Sequence, residues 1–76
     1  MINKNYIVRF IDESNKQKLH YKDLYLHSND IHSRKLYREL YLKAIDIYRA
    51  RYHMLLLFGY DVIFDENGNI TGLKEI

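Results

Sequence analysis

The chain has 76 residues and a mass of 9.3 kDa, enough for one small domain spanning residues 1–76 and no more. Twelve Lys and Arg against ten Asp and Glu leave a net charge of +2. That is too balanced to imply nucleic acid, a membrane surface or an acidic partner by charge alone. With no cysteine, disulfides and thiolate metal sites are excluded. The longest unbroken apolar run, Met54 to Phe58, is five residues, far short of a membrane span. Arg9 interrupts the apolar stretch Tyr6 to Ile11, which argues against a signal peptide, so the expected setting is cytoplasmic.

In chain order, Tyr6 to Ile11 reads as a strand by its β-branched and aromatic content. Asp12 to Lys16 supplies turn residues. Gln17 to His27 then reads as a returning antiparallel strand, with Leu19, Tyr21 and Tyr25 alternating and a bulge near Asp23. A short helix through that segment is the alternative.

From about Asp30 to Phe58 there is no Gly or Pro, and good helix formers dominate. Leu36, Leu40, Ile47, Met54 and Phe58 fall within about 40° of one another at the helical 100° per residue. Tyr37, Tyr41, Ala44, Tyr48 and Leu55 form the neighbouring stripe. Ser28, Asn29, Asp30 and Ser33 all offer N-cap chemistry, and Gly59 stands where a left-handed glycine ends a helix. The apolar sector covers about half the circumference, wider than one core needs. At 1.5 Å per residue the helix is roughly 40 Å long, whereas a six-residue strand spans about 20 Å. Either the helix breaks or its surplus surface packs on a second copy of the chain. A homodimer is the expectation.

Tyr60 to Glu75 reads as a β-hairpin folded at Asn67-Gly68, the preferred pair for a two-residue type I′ turn. That register sets Phe64 opposite Thr71, Val62 opposite Leu73 and Asp61 opposite Lys74. The expected fold is therefore α+β, in the order ββαββ, with two hairpins packed around one long amphipathic helix.

Chemistry-bearing patterns are few. Asp65, Asn67 and Asn69 imitate the start of a calcium loop, but Ile70 occupies the position of its obligatory glycine. None of the four histidines lie at the i, i+4 spacing of a helical metal pair, so no metal and no cofactor is expected. Arg51 falls inside the apolar arc, where a guanidinium needs a partner or a route to water. With Tyr48 and Tyr52 it is a candidate anion or nucleotide site, by stacking and bidentate phosphate contact. Arg34, Lys35 and Arg38 at the helix start are a candidate grip on a phosphate backbone. No nucleophile elbow, Walker loop or reactive cysteine is present, so an enzyme is not expected.

Eight Tyr and three Phe without Trp suit half-buried surfaces and interfaces. Residues with AT-rich codons number 35 of 76, which points to an AT-rich coding genome. Together these features favour a small non-enzymatic protein-interaction module with a protein partner. Its narrower form is an inhibitor, encoded by a phage or mobile element, of a bacterial regulatory or defence complex. The alternative is a nucleotide- or nucleic-acid-binding protein using the Arg and Tyr residues above.

Overall fold

A computed structural model describes residues 4–76. The element order is α-α-β-β: α1 at Lys4–Leu26, α2 at Ile31–Leu57, β1 at Tyr60–Phe64 and β2 at Ile70–Glu75. The two helices form an antiparallel hairpin, and the two strands form one antiparallel sheet. The ββαββ arrangement expected from the sequence is thus incorrect, because Lys4–Leu26 is one helix rather than a hairpin.

The reason lies on the buried face of α1. Ile7, Ile11, Ser14, Lys18, Tyr21 and Tyr25 recur at spacings of four and three, a helical period. Polar residues at Ser14 and Lys18 disguise that period as a turn. The Ser14 hydroxyl donates to the Ile11 carbonyl 2.7 Å away, which satisfies it within the helix. Residues 12–16 contain no Gly or Pro to stop propagation. Gln17 to His27, read as a strand with a bulge, simply continues α1 to Leu26.

The second helix lies where expected. Asp30 is its N-cap, in extended conformation, and its carboxylate accepts from the Ser33 backbone N–H (3.0 Å) and hydroxyl (3.1 Å). Gly59, at φ +89°, follows the last turn in the left-handed region that suits glycine. The helix does not break. Asp30→Ala should lower the free energy of unfolding by about 1 kcal/mol, read from urea denaturation. A change below about 0.3 kcal/mol would show that the cap contributes little here.

Pairing in the β-hairpin agrees with expectation at Val62–Leu73 and Asp61–Lys74 but slips at the tip, where Phe64 faces Ile70 instead of Thr71. The turn is not type I′, since Gly68 (φ +81°) takes a positive φ and Asn67 does not. The Asp65 carboxylate accepts from the N–H groups of Asn67 and Asn69, both at 2.9 Å, and the Asp65 N–H donates to the Asn69 carbonyl. This side-chain turn closes a wider loop and leaves an irregularity between Ile63 and Phe64. One consequence is that Ile70 is buried while Phe64 is exposed.

The core gathers at one end of an elongated body measuring 47 × 23 × 17 Å. Ile11, Leu55, Val62 and Ile70 form its buried centre, with Ile7, Val8, Tyr48, Tyr52 and Leu73 packed around them. Ala44, also buried, lies further along α2. A small side chain there lets the helices approach closely.

Candidate functional site

Each helix presents two apolar stripes, and the fold buries one of each. On α2, Ala44 and Leu55 are buried and Tyr37, Tyr41 and Tyr48 half-buried. The adjacent stripe is left in water: Leu36 is 53% exposed, Ile47 46%, Met54 45% and Phe58 63%. On α1, Tyr6 and Phe10 lie beside the buried stripe and are also exposed. Where the helices meet at the hairpin end, Tyr6, Ile7, Phe10, Met54, Leu55 and Phe58 line an apolar groove of about 550 Å³. Arg9 and Glu13 stand along it as its charged residues. Such a groove has the chemistry to receive apolar side chains.

Arg51 closes the inner side of this region. Its guanidinium donates to the Phe10 carbonyl at 2.7 Å and lies 4.2 Å from the centre of the Phe10 ring. The arginine inside the apolar arc is therefore partnered by the backbone and ring of α1, a cation–π contact joined to a charge-assisted hydrogen bond.

Tyr48 and Tyr52, the other members of that candidate set, make contacts of their own. The two tyrosine rings stack, with centroids 6.0 Å apart, and engage other partners. Lys18 lies 4.0 Å over the Tyr48 ring. Burial, followed by the nearby Lys22 charge, pushes the Lys18 ammonium below its usual pKa. Burial also pushes the Tyr48 hydroxyl up, with a smaller contribution from Asp61. Tyr48 borders a cleft of about 320 Å³ with Lys18, Lys22, Tyr41 and Arg49.

Tyr52 donates its hydroxyl to Asp61 Oδ1 at 2.8 Å, and the Val62 N–H donates to the same oxygen at 2.8 Å. The bond from Tyr52, then that from Val62, holds Asp61 below the usual carboxylate range. The same bond raises Tyr52, because ionising its hydroxyl would face a carboxylate without a shared proton. The pH consequences have opposite signs. A lowered carboxylate stabilises the fold above its unfolded pKa of about 3.9, and this is lost as pH falls through the folded value. A raised phenol stabilises below about pH 10, and this is lost as pH rises through the folded value. Tyr52→Phe should flatten both limbs of a thermal-midpoint profile recorded from acid to alkali. The acid limb will persist in part, since backbone N–H groups of Asn69 and Asn67 also lower Asp65. An unchanged profile in the variant would separate the Tyr52–Asp61 bond from stability.

Arg34, Lys35 and Arg38 are exposed on the first turns of α2, as a helix start requires. Arg34 lies 5.5 Å from the Tyr25 ring of α1. His27, just past the end of α1, pairs back onto its last turn, its Nδ1 3.0 Å from Asp23 Oδ1. Among the described residues no three His, Asp or Glu gather as a metal set, and no helix is long and apolar enough to cross a membrane.

Sequence reading missed the polar ties between α1 and the β-hairpin. Asn15, 1% exposed, donates through Nδ2 to the Gly68 carbonyl at 2.9 Å. Asp12 accepts from the Ile70 N–H at 3.2 Å. Asp12 and Asn15 lie outside the four-three series of α1, and no local pattern in the sequence signals these ties. Compared with protein families, curated proteins and solved structures, the chain matches none of them.

Proposed function

We propose that the chain is a small, non-enzymatic protein-interaction module whose working surface is the exposed apolar face of its helix pair. One observation carries this reading. The stripe Leu36, Ile47, Met54 and Phe58 stays in water beside the groove of Tyr6 and Phe10, although its neighbouring stripe is buried. Contiguous apolar surface rimmed by charge is the composition of a protein contact, and a groove between helices suits a partner's helix. Aromatic and Met side chains supply large, adaptable area at such surfaces.

A cytoplasmic setting belongs to the same proposal. The narrower form, inhibition of a bacterial regulatory or defence complex by a phage- or mobile-element protein, is supported by small size and codon composition alone.

The test is position-resolved photo-crosslinking in cells, with a benzophenone side chain at Phe58 or at Glu66 on the far hairpin tip. The reading expects a discrete adduct, to the chain itself or to another protein, from position 58 and none from position 66. Equal yields from both positions, or none from 58, would remove the apolar face as a working surface.

A further inference from the structure

Resting on the interaction reading above, we infer that the occupant of the apolar face is a second copy of this chain, packed antiparallel about a two-fold axis beside Ile47. The outward stripe of α2 consists of the exposed Leu36, Ile47, Met54 and Phe58 together with the half-buried Leu40. Its spacings are four, seven, seven and four. This pattern is the same read from either end. Turning a second α2 end for end therefore sets Ile47 against its own copy, Leu40 against Met54 and Leu36 against Phe58. A two-fold interface must be self-complementary in this sense, with residue i meeting j and j meeting i.

The spacing also fixes the kind of partner. Leu40, Ile47 and Met54 recur every seven residues, with Leu36, Ala50 and Leu57 on the alternate positions of the same repeat. Seven-residue recurrence keeps a seam facing another helix over several turns. Lys43 is the charged residue on this seam, and its long stem can cross apolar surface to reach water. On α1, Tyr6 and Phe10 line the groove, and the exposed Gln17 and half-buried Leu24 continue the same line along the helix. The partner surface is thus two helices wide, and the assembly is a four-helix bundle with a β-hairpin at each end.

Size supports the same occupant. From Leu36 to Phe58 the face runs about 33 Å along the helix. Two helices at about 9 Å spacing make it roughly 20 Å wide. The projection is of the order of 650 Å², and a corrugated surface exceeds its projection, so the face approaches the roughly 800 Å² per partner of a specific interface. The need is also present. Chains below about 80 residues gain little from a single core and commonly add disulfides, a metal or oligomerisation. This chain has no cysteine, and its described residues hold no metal set. Its core lies at one end of a 47 Å body.

Single-cysteine variants of the otherwise cysteine-free chain test the register. Under mild oxidation, Ile47→Cys should give a covalent dimer. Leu40→Cys and Met54→Cys should each stay largely monomeric under denaturing electrophoresis, yet link to one another when mixed. Light scattering should give twice 9.3 kDa for the native chain. Ile47→Glu should raise the dimer dissociation constant at least about 100-fold, because a carboxylate would be buried against its own copy. The side chain is 46% exposed in the single chain, so helical content should persist. If all three cysteines link equally to their own copies, the helices run parallel and this register is overturned, while the interaction face survives. A native chain that is monomeric at 100 µM, and whose photo-crosslinks reach only another protein, overturns self-pairing and leaves the broader reading standing. A monomer with no crosslink from position 58 overturns both.

Discussion

Ile11→Ala should cost about 3 to 4 kcal/mol and lower the thermal midpoint by roughly 15 to 30 °C. Ile11 is fully buried, and the residues around it come from all three parts of the fold: Leu55 of α2, Val62 of β1 and Ile70 of β2. Removing three carbons there opens a cavity that no single element can close, since each wall belongs to a different element. A chain of this length has a total stability of about 4 to 11 kcal/mol, so the variant approaches the unfolding threshold. Ile11→Val, which keeps the branched shape, should cost about 1 kcal/mol. Urea denaturation of both variants checks the pair, at concentrations spanning any dimer equilibrium. A cost below about 1 kcal/mol for the alanine variant would mean that stability is spread along the helices and does not depend on the hairpin end.

That dependence explains what the sequence did and did not disclose. The second helix was legible because its signals are local: Asp30 caps it, Gly59 ends it, and no residue between them interrupts the pattern. The hairpin pairing was legible for the same reason, up to its tip. At the tip, Asn67-Gly68 by itself favours a two-residue turn, but Asp65 organises a wider loop around two backbone N–H groups. The first helix was obscured by its tertiary role. Asp12 and Asn15 read as turn residues because polar side chains at such positions compete with helix formation. Here Asp12 and Asn15 are spent instead on backbone groups of the β-hairpin, more than fifty residues away in the chain. No local rule carries that information. Of the residues named as candidate sites, Arg51 stood out because a guanidinium inside the apolar arc needs a partner or a route to water. Its partner, the carbonyl and ring of Phe10, lies on α1, where the β-branched and aromatic content of Tyr6 to Ile11 suggests a strand. The stripe from Leu36 to Phe58 was legible as apolar. That it faces outward follows only from α1 occupying the stripe beside it.

Asn15 supplies the sharper experiment, because chemistry and pH can be varied separately at one buried atom. Its Nδ2 is a donor, and the Gly68 carbonyl it serves lies in the turn whose conformation sets the Phe64–Ile70 pairing. Asn15→Ala removes the donor and leaves a void, for an expected loss of about 2 to 3 kcal/mol. Asn15→Asp keeps the shape but replaces the donor with an oxygen. At neutral pH this buries a carboxylate against a carbonyl oxygen, and both burial and repulsion disfavour its charged form. The introduced carboxyl should therefore have a folded pKa above its unfolded value of about 3.9. A raised folded pKa contributes stability below the unfolded pKa and loses it as pH rises through the folded one. The penalty relative to the native chain should accordingly be smallest near pH 3.5, where the protonated carboxyl can donate to Gly68, and largest at pH 7. Comparison at each pH cancels the native acid limb set by Asp61 and Asp65. The pH-dependent penalty separates donation from packing: shape is common to both proteins, so only the missing donor and the buried charge can give it that sign. If Asn15→Asp is as stable as the native chain at pH 7, the Asn15–Gly68 bond does not hold the hairpin to α1.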